Sequence, residues 1–140
     1  MTSLSERVAA TFAAYGTPDE RPFEEMLSLY GPNIHFVDPF HDFQGKAEFT
    51  RMMENLRASV RMRFDNVLVM GGDEHFFMSW KMGMRLKVGP EVPVLGITEF
   101  RSRDGVLVYQ RDVWDTLSSF VDVIPGAGPM YRGIVQTLFG

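Results

Sequence analysis

From Phe76 to Val88 every second residue is large and apolar. Phe76, Met78, Trp80, Met82, Met84, Leu86 and Val88 alternate with a set that includes Ser79, Lys81, Arg85 and Lys87. A period of two held over so long a run is the signature of a β-strand with one face in a core and the other toward water or a partner. Such a strand needs neighbours on both sides and something apolar laid over one face. The flanking sequence supplies both. Arg61–Met70 turns at Gly71-Gly72-Asp73 into Glu74–Val88, which turns at Gly89-Pro90-Glu91 into Val92–Arg103. That run turns at Asp104-Gly105 into Val106–Thr116, so the pattern predicts four meandering antiparallel strands.

The half ahead of them has helical texture. Ser3-x-x-Glu6 has the spacing of a capping box, followed by Val8, Phe12 and Tyr15 at helical intervals up to Gly16. Beyond a turn at Thr17–Pro22, Phe23, Met26, Leu27 and Tyr30 predict a second helix stopped by Gly31-Pro32. A first strand follows in Asn33-Ile34-His35-Phe36-Val37-Asp38-Pro39-Phe40, and its alternation puts Ile34, Phe36 and Asp38 on one face. His41–Gly45 reads as a loop, and Lys46 to about Ser59 as a third helix with Phe49, Met52, Met53 and Leu56 inward. The tail holds an apolar run at Phe120–Ile124, a break at Pro125-Gly126, and a last helix carrying Met130, Ile134, Val135 and Leu138. That apolar helix is expected to plug the mouth of the fold or to pack on a neighbour. With no internal repeat or linker, 1–140 is expected to be one α+β domain.

Composition narrows the partners. A net charge of −4 with scattered Lys and Arg gives no basic face for nucleic acid or for anionic membranes. The absence of cysteine excludes disulfides, thiolate metal sites and a Cys nucleophile. The start Met1–Glu6 lacks the pattern of a signal peptide, so a cytoplasmic location is the expectation. Ten Met and twelve Phe suit an adaptable apolar cavity, and equally a plain core.

The element order resembles the nuclear-transport-factor-2-like superfamily, in its SnoaL-like and ketosteroid-isomerase-like branch. The residues that carry the likeness are Leu29 to Pro39, Gly45 before the third helix, Gly96-Ile97-Thr98-Glu99-Phe100, and Gly105 to Asp115. The likeness covers the chain to about Thr116 and leaves 117–140 as an extension. It implies a cone-shaped roll: a strongly bent mixed or antiparallel sheet wrapped on three N-terminal helices, with a C-terminal helical extension. It also implies an apolar interior open at one end, and a homodimer through the outer sheet face with Lys81 and Arg85 at its rim.

Two enzymatic patterns within that resemblance are each half-filled. In the ketosteroid-isomerase pattern Asp38 matches the general base, whereas the position of the acid that polarises the carbonyl falls at Gly96, and Tyr15 lies only near the tyrosine's position. In the limonene-epoxide-hydrolase pattern Asp112 matches the water-activating acid. The partner position on the long strand reads Trp80-Lys81-Met82 or Lys81-Met82-Gly83, neither of which has an acid.

The residues allow a bland reading beside each functional one. Asp38 before Pro39 is either a turn former or a pocket acid. Asp112 is either a catalytic acid or the cross-strand ion-pair partner of Lys81 or Arg85. His35, His41 and His75 lack metal-ligand spacing, though Asp38-x-x-His41 could set imidazole beside carboxylate at the cavity mouth. The expected site therefore comprises Asp38, Asp112 and His41 as chemical groups, with Tyr15, Phe36, Phe40, Trp80, Met82, Phe100 and Trp114 as contacts. The ligand is expected to be small and largely apolar, with no metal and no cofactor. Three functions remain: an isomerase-like enzyme with Asp38 as base, a non-catalytic binding or dimerisation module, and an epoxide-hydrolase-like enzyme.

Overall fold

The computed structural model describes the chain apart from residues 16–18, 87–88, 117–120 and 122–124. Helix α1 (Leu4–Ala14) starts at the expected capping box: Glu6 N–H donates to Ser3 Oγ and Ser3 N–H to Glu6 Oε2. A second anchor comes from far along the chain. The N–H groups of Leu4 and Ser5 donate to the two oxygens of Asp73, in the turn between two strands. Helix α2 (Arg21–Ser28) has Pro22 in its first turn, where a missing N–H costs nothing. The chain then runs through β1 (Tyr30–Val37), β2 (Asp42–Gln44), α3 (Lys46–Ser59), β3 (Val60–Gly72), β4 (His75–Leu86), β5 (Glu91–Arg103), β6 (Val106–Trp114) and α4 (Ala127–Phe139).

Two expectations need correction. Tyr30 is not the last residue of α2 but the first of β1, and Gly31-Pro32 lie inside that strand. Proline is tolerated there because the parallel pairing of β1 with β6 is interrupted between Tyr30 and His35, so no ladder hydrogen bond is lost. The segment read as a loop after Phe40 contains β2, which pairs antiparallel with His35–Val37. The expected Gly16 helix stop, the ends of the long strand at Lys87 and Val88, and nearly all of the Phe120–Ile124 run lie outside the described residues.

The strands form one open mixed sheet in the order β2-β1-β6-β5-β4-β3, antiparallel except for β1 with β6. The meander is as expected, and Asp104-Gly105 makes its last turn with both residues at positive φ, as a type I′ hairpin requires. β3 bulges between Asp65 and Leu68, with Asn66 left-handed, which bends and twists the sheet. α3 follows β2 and leads directly into β3, so it connects the two edge strands of the sheet.

The inner face carries the alternation of β4: Phe76, Met78, Trp80, Met82 and Met84 are buried, whereas Ser79, Lys81 and Arg85 are exposed. Against it pack Val8 and Phe12 of α1, Met26 of α2, and Phe49 and Met53 of α3. At roughly 25 cal/mol per Å² of apolar surface, rings and thioethers of this size dominate the drive to fold. α4 makes no comparable contribution. Its Met130, Ile134 and Leu138 are exposed, and none of its residues lines the cavity described below, so it does not plug the mouth. Among the described residues no helix is long and apolar enough to cross a membrane.

Candidate functional site

The core is not filled solid. Between the inner face of the sheet and α3 lies a cavity of about 570 Å³, a volume typical of small-molecule sites. Its walls include Phe36, Phe49, Phe64, Trp80, Met82 and Trp114. Polar residues Glu48, Arg51, Asn55 and Ser59 of α3 also border it. Two carboxylates face this space, Asp38 and Asp112, and they are held quite differently.

Asp38 lies one residue past β1, on the side to which Ile34 and Phe36 already point. Its side chain is 14% exposed. Oδ1 accepts the N–H groups of Phe40 (2.7 Å) and His41 (2.6 Å), and His41 Nδ1 lies 2.9 Å from it. A carboxylate only accepts, so Nδ1 carries a proton and donates. The backbone closes the same turn, Asp38 N–H donating to His41 O at 3.0 Å. Asp38 is thus a turn former and a cavity residue at once, and the Asp38–His41 pair exists. Phe40, largely exposed, meets the edge of Trp114 beside it at 5.7 Å.

Asp112 sits deeper, on β6, opposite Thr98 of β5. Thr98 Oγ1 donates to its Oδ1 at 2.7 Å, and Gln110 Nε2 donates to the same oxygen at 3.0 Å. Behind these stand two more groups: Trp80 Nε1–H donates to Thr98 Oγ1 at 2.9 Å, and the Tyr30 hydroxyl bonds Gln110 Oε1. Thr98, Gln110, Trp80 and Tyr30 are all buried. Burial pushes the Asp112 carboxyl up to about 6; the hydrogen bonds from Gln110 and Thr98 pull the other way, and the nearby Asp38 charge adds to the rise. Burial also holds the Tyr30 phenol well above its ordinary value, helped by the negative charge of Asp112. Among the described residues no cation is paired with Asp112: Lys81 and Arg85, the partners expected if it were structural, are on the outer face of the sheet.

Of the expected contacts, Phe36, Phe40, Trp80, Met82 and Trp114 line the cavity together with Asp38, His41 and Asp112. Tyr15 and Phe100 do not. Phe100 is fully buried and stacks on Phe76 at 5.0 Å, while the Tyr15 ring packs against Phe23 and Phe64 with its hydroxyl buried and, among the described residues, without a hydrogen-bond partner. Gly96, where the isomerase pattern would have an acid, has a steric role. It faces Trp80 across the β4–β5 ladder, and a Cβ there would lie 2.3 Å from the indole. The register on β4 turns Trp80 and Met82 inward and Lys81 outward, so this strand brings no acid to Asp112.

Sequence reading missed Thr98, Gln110 and Tyr30. Gln110 was within reach, since it shares a strand face with Asp112 two residues on. Thr98 was not, because its place beside Asp112 depends on cross-strand register.

An open mixed sheet curled over helices around an acid-bearing apolar cavity defines the class of cone-shaped α+β domains. Within it the chain belongs to the SnoaL-like domain family, whose model matches residues 8–110. Among curated proteins no match is found. Solved structures share the fold at low identity. A putative polyketide cyclase from Pseudomonas putida KT2440 is 17% identical, with TM-score 0.74 over 88% of this chain and 98% of that one. An LEH-like epoxide hydrolase of M. tuberculosis is 13% identical, with TM-score 0.72 over 93% and 96%. A hypothetical protein of ketosteroid-isomerase-like fold from Catenulispora acidiphila DSM 44928, in complex with trimethylamine, is 18% identical, with TM-score 0.70 over 87% and 93%. The SnoaL-like resemblance carried by the sequence motifs is therefore the family shown, and the solved structures share its fold.

Proposed function

We propose that the chain binds a small, largely apolar molecule in the cavity and moves a proton on it, with Asp112 rather than Asp38 as the acid–base group. One observation carries this reading: Asp112 faces an apolar cavity with its carboxyl raised to about 6, while both of its hydrogen bonds fall on one oxygen. A carboxyl in that range is basic enough to take a proton from carbon beside a carbonyl near neutral pH and acidic enough to return it. Asp38 keeps a supporting part. Its Oδ1 is engaged by its own turn, its charge keeps Asp112 proton-seeking, and His41 offers a polar contact at the mouth. Neighbours of the same fold described as a polyketide cyclase and an epoxide hydrolase are compatible with acid–base chemistry in such a cavity.

The test is solvent deuterium exchange beside the carbonyl in a panel of cyclic ketones, comparing wild type, Asp112→Asn and Asp38→Asn. Loss of exchange in the first variant alone supports the assignment. Equal exchange by wild type and Asp112→Asn ends it.

A second reading, binding without chemistry, draws on two positions: the β4 register turns no acid toward Asp112, and Gly96 stands where the isomerase pattern has its acid. Native mass spectrometry that finds a retained ligand, together with no exchange on any ketone, would favour it. In either case we propose a homodimer through the outer sheet face, where Leu68, Met70, Phe77, Leu95, Ile97 and Val113 are exposed on neighbouring strands. Light scattering should give twice the chain mass, and Ile97→Asp should halve it. A wild-type monomer would dismiss the dimer.

A further inference from the structure

We propose that two hydrogen-bonded arms, Trp80–Thr98 and Tyr30–Gln110, are positioning residues that lock the Asp112 carboxyl so that Oδ2 carries and exchanges its proton, never Oδ1. The inference rests on the acid–base reading above for its use, but not for its geometry.

The lock follows from which groups can only donate. An indole N–H has no acceptor capacity, so Thr98 Oγ1 must accept from Trp80 Nε1. The single hydroxyl proton of Thr98 is then left for Asp112 Oδ1, 2.7 Å away. On the other arm Gln110 sets its amide nitrogen 3.0 Å from the same Oδ1 and its carbonyl against the Tyr30 hydroxyl. The opposite amide orientation would press two acceptors together while Asp112 is ionised, and in either protonation state it would take from the buried Tyr30 hydroxyl the Oε1 that accepts its proton. Oδ1 thus receives two fixed donors. A proton placed on Oδ1 would meet an amide nitrogen that cannot accept and only the second lone pair of Thr98 Oγ1; using that lone pair would turn the Thr98 proton away from Oδ1, so either way a buried donor is left without a partner. Oδ2 receives no hydrogen bond among the described residues, and the side chain borders the cavity, so the proton belongs there.

The arrangement has a steric precondition at Gly96. The indole lies over this residue, and any side chain would push the ring, and with it Nε1, away from Thr98. Other titratable or charged groups bordering the same cavity are Asp38 and His41 from the turn after β1, Glu48 and Arg51 from α3, and the Tyr30 phenol from β1. Of these, Asp38 acts on Asp112 by raising it, and Tyr30 is acted on by it.

Carboxyl carbon NMR on the ligand-free full chain, labelled at aspartate, tests the lock without any substrate. Thr98→Val deletes one donor to the charged form, so the Asp112 midpoint should rise by about 1 pH unit. Thr98→Ser, which restores the hydroxyl, should bring it back, and Trp80→Phe, which keeps the Thr98 hydroxyl, should move it less than Thr98→Val. A merely structural role for Thr98 would lower the melting temperature and leave the midpoint in place. Thr98→Val titrating like wild type, or Thr98→Ser failing to restore the midpoint, overturns the proposal. An atomic-resolution crystal structure of wild type at about pH 5, where Asp112 is neutral, needs no variant. It should show the C–Oδ2 bond longer than C–Oδ1; equal or reversed lengths also overturn the lock. The two proposals fail separately. Shifted midpoints with no exchange on any ketone keep the lock and remove the acid–base role. Exchange that depends on Asp112, with an unmoved Thr98→Val midpoint, does the reverse.

Discussion

Asp38 and Asp112 are the same residue type bordering the same cavity, yet their surroundings divide the labour between them. The first spends one oxygen on two backbone N–H groups and an imidazole of its own turn. The second is approached by two neutral side chains and, among the described residues, is paired with no cation. Charge at the turn is matched locally, whereas charge on β6 is left to be resolved by protonation or by a ligand. A carboxylate's sequence context identifies it as a candidate, but its donors decide whether it holds structure or stays available for chemistry.

The largest expected effect is on that division itself. Asp112→Asn should cut turnover by ~10²–10⁴, measured as kcat on whichever ketone exchanges. The same variant should be more stable than wild type near pH 7. Because the folded pKa lies above the unfolded one, the native state binds the extra proton between roughly pH 4 and 6, and wild-type stability falls as pH rises through that window. At neutral pH the penalty is on the order of 3 kcal/mol, and urea titrations of the pair at about pH 4 and pH 7 should show the gap opening. A gap independent of pH would contradict the burial argument.

Gly96→Ala comes next. A methyl group inside the indole's space is overpacking against a rigid ring, with an expected loss of about 1–3 kcal/mol in denaturant melts. An unchanged midpoint would mean that Trp80 can shift freely. Asp38→Asn should be milder in rate than Asp112→Asn. By removing a negative charge it should move the acid limb of the pH–rate profile to lower pH. A rate loss equal to that of Asp112→Asn would erase the distinction between the two acids.

The smallest effect uses a third carboxylate as the opposite case. The N–H groups of Ser5 and then Leu4 hold the Asp73 carboxyl below its ordinary value. Its contribution is therefore present above the unfolded pKa and lost as pH falls through the folded one, the reverse sign to Asp112. Asp73→Ala should lower the melting temperature at neutral pH and converge with wild type in acid; a constant difference would exclude the N-terminal anchor.

Much of this was legible beforehand for a simple reason. Strand alternation and turn glycines are local, so the meander, the inward set Phe76–Met84 and the limits of α3 could be read directly. Asp38 beside Ile34 and Phe36 was legible in the same way. Tyr15 and Phe100 pack on other rings rather than line the cavity, a distinction periodicity does not make, because an inward aromatic can face either a cavity or solid core. The second-strand pairing of Asp42–Gln44 was hidden because a three-residue edge strand owes its existence to β1 rather than to its own residues.

The sequence by itself determined the class of fold, the family, and the presence of acids among rings, because these depend on spacing along one chain. Only the tertiary structure decided which acid faces the cavity unneutralised. That outcome rests on the register that sets Thr98 opposite Asp112, on the space at Gly96 that admits an indole, and on the approach of Tyr30 to Gln110. Hydrogen bonds between residues so far apart in sequence arise when burial forces polar groups to find partners, and no local pattern encodes that choice.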